Sequence, residues 1–126
     1  MKRITFLTAA FLCLSGLTES PAQDTQSNRN MEELKLTQEW DKTFPKSDKV
    51  NHSKVTFVNR YGITLAADLY VPKTTAGGEL PAIAVSGPFG AVKEQSSGLY
   101  AQTLAERGFL TIAFDPSFTG ESGEIG

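Results

Sequence analysis

The serine near the end of the chain is the residue whose surroundings most resemble those of a nucleophile. Ser122 lies in the stretch Gly120-Glu121-Ser122-Gly123-Glu124. A serine nucleophile elbow has the pattern Gly-x-Ser-x-Gly between a strand and a helix. Here Glu124 replaces the second glycine, and the sequence after it contains no helix. We therefore predict that Ser122 is not a nucleophile and that its segment shapes a loop.

The other polar candidates have structural interpretations. His52 is the only histidine, which excludes a metal site built from several histidines. We expect it to face solvent or to lie at the edge of a hairpin. Asp115 follows a predicted strand, and we expect its carboxylate to fix the next loop by hydrogen bonds. Lys93 and Glu94 are expected to form a solvated pair near the start of a helix.

Two glycines, Gly87 and Gly90, lie between a predicted strand and a predicted helix, as glycines do in nucleotide-binding loops. Neither the G-x-G-x-x-G pattern nor the G-x-x-x-x-G-K-[ST] pattern is present there. The carboxylates do not follow the spacing of a calcium loop. We therefore predict no cofactor and no metal ion.

A hairpin is predicted from Lys54 onwards. Val55 to Val58 is rich in β-branched and aromatic residues, and residues 59–62 supply a turn that ends in a glycine. From Ile63 to Val71, apolar side chains occupy alternate positions, which is the pattern of a half-buried strand. The two segments therefore read as antiparallel strands.

A strand, a helix and a second strand follow. Residues 81–85 and 109–114 are continuous apolar runs, which is typical of parallel strands that are covered on both faces. Between them, residues 97–107 are expected to form a helix with Ser96 or Ser97 as its N-cap and an apolar face that includes Tyr100 and Leu104. The predicted fold class is α/β, with a mixed sheet in which a hairpin precedes a right-handed βαβ unit.

The residues before the hairpin are predicted to be a leader and linker, 23–53. Within it, Met31 to Trp40 has an imperfect helical pattern, and Trp40 is interpreted as a packing residue. The formal net charge is −2, and no basic stripe is present that could neutralise phosphates. We therefore predict no nucleic-acid partner.

Residues 1–22 have the pattern of a signal peptide. Lys2 and Arg3 precede an apolar run, and Ser20-Pro21-Ala22 places small residues where a signal peptidase cleaves. Cleavage after Ala22 would export the chain to the periplasm or beyond and remove Cys13, the only cysteine. The run is too short for a comfortable membrane span, so we expect no stable span after cleavage. An uncleaved N-terminal anchor is the alternative.

The strand and loop sequences resemble those of bacterial α/β-hydrolases, specifically the exported dienelactone-hydrolase-like proteins. The resemblance lies in residues 80–95, with the loop Ser86-Gly87-Pro88-Phe89-Gly90, in residues 101–115, and in residues 117–123. It covers about Lys54 to Gly123 and implies a serine hydrolase acting on esters or related acyl bonds, with a small-molecule acyl substrate.

In such enzymes, the loop after the third strand supplies one backbone N–H of the oxyanion hole. The resemblance implies that Phe89 is the first candidate for this donor and Gly90 the second, because Pro88 has no N–H. The alternative is that the two glycines of this loop only permit a tight turn. The catalytic histidine of the family follows the nucleophile and the acid along the chain, so His52 comes too early to be that residue.

The sequence is therefore interpreted as the N-terminal portion of such a hydrolase, inactive alone because no nucleophile or triad histidine is found. The fourth strand is expected to have an open edge where a partner chain could bind. Two alternatives are a non-catalytic interaction module and a structural remnant.

Overall fold

The computed structural model describes residues 33–74 and 77–123. Five elements follow one another: β1 (Val50–Val58), β2 (Thr64–Pro72), β3 (Ala82–Ser86), α1 (Ser96–Ala105) and β4 (Leu110–Phe114). The predicted signal peptide, its cleavage site and Cys13 lie outside the described residues, and so do Met31 and Glu124.

The predicted hairpin is confirmed. β1 pairs with β2 in an antiparallel register that matches Lys54 with Asp68. The Asn59 side chain organises the turn, because its Oδ1 accepts hydrogen bonds from the backbone N–H groups of Tyr61 and Ile63, at 2.9 and 3.1 Å. Gly62 adopts φ 84°, a conformation that favours glycine. The first strand begins at Val50, four residues before Lys54, so His52 belongs to the sheet.

The sheet confirms the predicted α/β class. Its strand order is β1-β2-β4-β3, with β3 and β4 parallel and β2 and β4 antiparallel. The prediction that the fourth strand has an open edge is wrong, since β4 lies between β2 and β3 and is paired on both sides. Among the described strands, β1 and β3 form the two edges.

Helix α1 packs on one face of the sheet through small side chains. Ala101 and Ala105 are fully buried against Val50, Tyr70 and Ala113. The predicted apolar helix face is wrong in part, because Tyr100 is 60% exposed and Leu104 is only partly buried. Small residues allow a close approach between the helix and the strands. The residue that precedes the helix is Gln95, and no side chain caps the helix N-terminus by a hydrogen bond.

The segment before β1 packs on the same face of the sheet as α1. Residues 33–40 contain no helix, so the helical pattern predicted from Met31 to Trp40 is wrong for these residues. Trp40 is a packing residue as predicted. Its Nε1 donates to the carbonyl oxygen of Phe44 at 2.8 Å, and its ring meets the Phe44 ring edge to face at 5.7 Å. Phe44 is buried, so this segment completes the core.

The opposite face of the sheet is partly open. Leu69 and Ile112 are paired across β2 and β4 on that face, and both are only partly buried. Ala82, Ala84 and Ser86 of β3 are exposed there as well. The expectation that β3 is covered on both faces is therefore wrong for the part of the chain that the structure describes.

Candidate functional site

The loop that leaves β3 lies at the carboxyl end of the parallel pair, where sites form in open α/β sheets. A turn closes it, with the Ala91 N–H donating to the carbonyl oxygen of Pro88 at 3.0 Å. Gly90 adopts φ 80°, and the side chain of Phe89 is fully exposed. Neither the Phe89 N–H nor the Gly90 N–H donates a hydrogen bond to any described residue. The loop therefore presents two unused backbone donors.

Lys93 anchors the far end of this loop. Its side chain is completely buried, and its Nζ lies 2.6 Å from Glu94, 2.7 Å from Asp115 and 2.8 Å from Glu121. The prediction of a solvated Lys93–Glu94 pair is wrong. The lysine enters the protein because three carboxylates replace the water around its ammonium group, which a buried charge requires.

Asp115 connects the β3–α1 loop to the loop after β4. It is fully buried, and its Oδ1 accepts the Lys93 N–H at 2.7 Å. Its Oδ2 accepts the Glu121 N–H at 3.1 Å. The prediction that Asp115 fixes the following loop is therefore confirmed, and the same carboxylate also fixes the loop that holds Phe89.

Ser122 has a structural role in the loop after β4. Its Oγ donates to the Asp115 carbonyl oxygen at 2.8 Å and accepts the Ala66 N–H at 2.9 Å. The hydroxyl is thus committed to joining the loop to β2, and it forms no hydrogen bond with His52. This arrangement agrees with the prediction that the Gly120–Gly123 segment shapes a loop.

A second lysine extends the cluster towards the segment before β1. Lys54 Nζ lies 2.8 Å from Asp41, 3.7 Å from Glu94 and 2.6 Å from Glu121. Oxygen atoms of these three carboxylates lie within 4.8 Å of one another, a spacing that a metal ion could bridge. The Lys54 and Lys93 ammonium groups already bind those oxygens. The arrangement is therefore that of an ion-pair cluster.

Hydrogen bonds within the cluster favour the charged forms of Glu121, Asp41 and Lys93. Burial alone would raise the pKa of Glu121, but hydrogen bonds from Lys54 and Lys93 outweigh it and lower the pKa from 4.5 to about 2. The pKa of Asp41 likewise falls to about 2, because hydrogen bonds from Lys42 and Lys54 outweigh its burial. Burial would lower the pKa of Lys93, but hydrogen bonds from its ammonium group to Asp115 and Glu121 raise it.

His52 lies on β1, the edge strand of the hairpin, as predicted, but its side chain does not face solvent freely. Only 13% of it is exposed, and its Nε2 lies 2.7 Å from Oδ1 of the fully buried Asp68. Lys42 Nζ lies 3.0 Å from the other oxygen of Asp68, in an ion pair whose angles fall short of a hydrogen bond. His52 is thus engaged by a buried carboxylate, and in the sheet register it is distant from Ser86.

Sequence reasoning missed the partners of Lys93. At Asp68 the alternation is misleading. The residue shares a face with Ala66 and Tyr70, opposite the apolar positions of the predicted half-buried strand, yet this face is fully buried, whereas Leu69 on the other face is only partly buried. Lys54 shares the sheet face of Asp68, because the two residues are register partners. Nothing in the spacing of Asp41 or Glu121 shows that they meet these side chains.

In the described part of the chain, no helix is long and apolar enough to cross a membrane.

Two curated proteins show how this chain relates to longer ones, although no family model matches it. It is 69% identical over 120 residues to the uncharacterized protein PA2218 of Pseudomonas aeruginosa, a match that covers 93% of this chain and 32% of PA2218. It is 48% identical over 75 residues to the uncharacterized protein YcjY of Escherichia coli, covering 57% of this chain and 24% of YcjY. The chain thus spans about a third or less of these relatives.

Solved structures support the fold assignment. The crystal structure of PA2218 matches with a TM-score of 0.72 and 76% identity, over 74% of this chain and 29% of that one. The structure of DcsB in complex with its substrate analogue matches at 0.52 and 28% identity, over 59% and 24%. Acetyl xylan esterase 1 from Thermoanaerobacterium sp. matches at 0.54 and 20% identity, over 78% and 29%. At that identity, the likeness to the esterase shows the fold alone.

Proposed function

We propose that this chain is the N-terminal portion of an exported α/β-hydrolase that cleaves esters or related acyl bonds, and that it provides one donor of the oxyanion hole. The observation that carries the proposal is the pair of unused N–H groups at Phe89 and Gly90. They lie in the loop after β3, at the carboxyl end of the parallel strands. Negative charge that develops on a carbonyl oxygen requires such fixed donors.

The ion-pair cluster supports this role, because an oxyanion donor must be held still before the substrate arrives. Lys93 lies three residues after Gly90, and it is tied to Asp115 through both its backbone N–H and its ammonium group. The base of the loop is therefore fixed to the end of β4. The fold shared with an acetyl xylan esterase is consistent with this interpretation.

The nucleophile and the triad histidine are assigned to other parts of an intact hydrolase, since Ser122 and His52 are both engaged in structural contacts. We expect this chain alone to hydrolyse no ester above background. Labelling with a fluorophosphonate probe tests this expectation, with Ser122→Ala as the control. Stoichiometric labelling that disappears in the Ser122→Ala variant would show that Ser122 is a nucleophile after all.

The donor role of Phe89 is tested by grafting residues 80–123 into full-length PA2218 and measuring ester turnover. Phe89→Leu should keep much of the activity of the parent graft, because only the backbone is used. Phe89→Pro removes the N–H and should lower kcat by about 100- to 1000-fold. Circular dichroism must show that the Phe89→Pro graft is folded. A folded graft with undiminished kcat would leave the loop as a structural turn.

A non-catalytic interaction module is the second candidate, and the edge of β3 favours it. β3 is hydrogen-bonded to β4 on one side, and its other side is unpaired among the described strands. An unpaired edge can accept a strand from another chain. Sedimentation of the purified chain over a range of concentrations tests for self-association. A monomer at every concentration would argue against pairing with a second copy.

A further inference from the structure

The hydrogen bonds of the hairpin show which backbone groups of β1 point away from β2. In an antiparallel pair, residues that bond to the neighbouring strand alternate with residues whose N–H and C=O groups point outward. At the two ends of the hairpin, the Lys73 N–H donates to the Lys49 carbonyl oxygen and the Asn59 N–H donates to the Ile63 carbonyl oxygen, each at 2.9 Å. The odd-numbered residues of β1 therefore bond to β2, and the even-numbered residues direct their backbone groups outward.

Three of these outward residues are His52, Lys54 and Thr56. None of their backbone N–H or C=O groups forms a hydrogen bond with any residue that the structure describes. β1 has β2 on one side and no described strand on the other. Unpaired groups at a strand edge can form hydrogen bonds with an added strand, as in recognition of extended peptides.

A cleft of about 330 Å³ gives access to this edge. Its lining includes His52, Ser53 and Lys54 of β1, and residues 36–40 and Lys46 of the segment before β1. Neighbouring residues of a strand point to opposite faces of a sheet, so three consecutive lining residues show that the cleft follows the strand edge. An extended peptide in the cleft would therefore lie beside the unpaired backbone groups.

The charges around the cleft favour a cationic side chain. In the ion pairs around Lys54 and Asp68, five carboxylates contact only three lysines. The carboxylates are also closer to solvent, because 23% of the Asp41 side chain and 16% of the Glu121 side chain are exposed, whereas no lysine of this group exceeds 8%. Glu39 lines the cleft, is exposed and has no ion pair with any described residue.

The aromatic wall of the cleft narrows the choice to arginine. Lys46 is exposed, and its ammonium group lies 5.8 Å from the centre of the Trp40 ring. An incoming cation could replace this mobile side chain over the ring. A guanidinium group suits the position better than an ammonium group, because it is planar, stacks on aromatic rings and binds a carboxylate through two hydrogen bonds.

We propose that the cleft binds an extended peptide of another protein as an added β-strand, with its backbone paired to the outer edge of β1 and an arginine side chain between Trp40 and Glu39. The proposal does not depend on the hydrolase function. It concerns the edge of the described sheet opposite to β3, so it is also separate from self-association through β3.

The test measures binding of the fluorescein-labelled peptide TVTRTVT to the full chain by fluorescence anisotropy. Methylation of peptide backbone nitrogens distinguishes strand addition from other modes, because only alternate N–H groups of an added strand face its neighbour. One peptide is methylated at positions 3 and 5, and another at positions 4 and 6. One of them should bind at least about tenfold more weakly than the parent peptide, and the other should bind within about threefold of it.

Variants at the edge locate the added strand. Thr56→Pro removes an outward N–H and keeps the hydrogen bonds between β1 and β2, since proline is tolerated at such edge positions. It should weaken binding at least about fivefold. Thr56→Val keeps the N–H and should bind as the parent does. Circular dichroism must show that the Thr56→Pro variant is folded.

Variants on the cleft wall locate the arginine side chain. Glu39→Gln should weaken binding of the arginine peptide about threefold, and it should not change binding of a peptide with citrulline, which lacks the charge, in place of arginine. Glu33→Gln, at an exposed glutamate of the same segment, is the matched control. Lys46→Gln should strengthen binding of the arginine peptide, because it removes the competing cation.

The other outcomes would each overturn the proposal. Absence of saturable binding, or equal weakening by the two methylated peptides, would show that the peptide does not add as a strand. Undiminished binding to a folded Thr56→Pro variant would place the peptide on another edge, such as that of β3. If Thr56→Pro does not fold, the Glu39→Gln comparison decides, because equal effects on the arginine and citrulline peptides would show that the arginine does not enter the cleft.

Discussion

Replacing Lys93 with methionine tests whether the buried ion-pair cluster holds the two loops in place. Methionine keeps the unbranched shape of the side chain but removes the ammonium group that contacts Glu94, Asp115 and Glu121. Glu121 and Glu94 keep Lys54 as a neighbour. Asp115 is fully buried and would retain only the hydrogen bonds from the backbone N–H groups of Lys93 and Glu121.

The expected loss of unfolding free energy follows from the fact that Glu94 and Glu121 keep a cation, whereas Asp115 does not. Removing one partner of a buried ion pair costs about 3–5 kcal/mol, because the remaining charge stays buried. We expect about 3 kcal/mol for Lys93→Met, since two of the three carboxylates keep a cation. Unfolding free energies of small domains are about 5–15 kcal/mol. The variant should therefore lose a large share of the stability of the parent.

Urea unfolding at pH 7 measures the loss, with the fluorescence of Trp40, the only tryptophan, as the signal. With a slope of about 1.5 kcal/mol per M urea, the midpoint should fall by about 2 M. Lys73→Met, at an exposed lysine after β2, is the matched control and should change stability by less than about 0.5 kcal/mol. Equal midpoints for the two lysine variants would refute the reasoning.

Four further predictions concern other parts of the chain. Gly98→Ala should lower the unfolding free energy measured in urea by about 1–3 kcal/mol, because the new Cβ would overlap the Lys93 carbonyl oxygen and press on the Phe44 ring. This loss is expected although alanine favours helices, and Ser96→Ala is the control. Glu121 has a lowered pKa of about 2, so the stability that it contributes is full above pH 4.5 and is lost as the pH falls towards 2. Glu121→Gln should flatten the dependence of the unfolding free energy on pH in this range. Tyr70→Phe should leave the unfolding free energy unchanged or raise it by up to about 1 kcal/mol, because the Tyr70 hydroxyl is buried without a partner in the described structure. Export should yield a product whose intact mass begins at Gln23; a soluble cytoplasmic product that retains the initial methionine would contradict this.

The local parts of the fold could be predicted from sequence, because they depend on neighbouring residues. Alternation from Ile63 to Val71 and the glycine at position 62 define the hairpin, and the apolar runs define β3 and β4. The position of β4 between β2 and β3 could not be predicted in this way. It depends on pairings between segments that are far apart in sequence, and periodicity within one strand carries no information about its neighbours.

The site was predicted less well, for a physical reason that Lys93 illustrates. A lysine next to a glutamate usually lies in solvent, and burial becomes favourable only when several carboxylates converge on the ammonium group. Those carboxylates come from Glu94, Asp115 and Glu121, of which only the first is a sequence neighbour. The same holds for Ser97, whose missing hydrogen-bond partner is a property of the packed structure.

The hydrogen bond between the Thr37 N–H and a Glu121 carboxylate oxygen, 2.6 Å long, joins residues 84 positions apart in the chain. The stretch around Thr37 can therefore make this contact only after the loop that follows β4 is present. Contacts between such distant residues form late, because closing a long loop costs entropy before any contact compensates for it. During synthesis, the segment near Thr37 should stay accessible to proteases until the residues around Glu121 have emerged. Protection of this segment from limited proteolysis would then report the completion of folding.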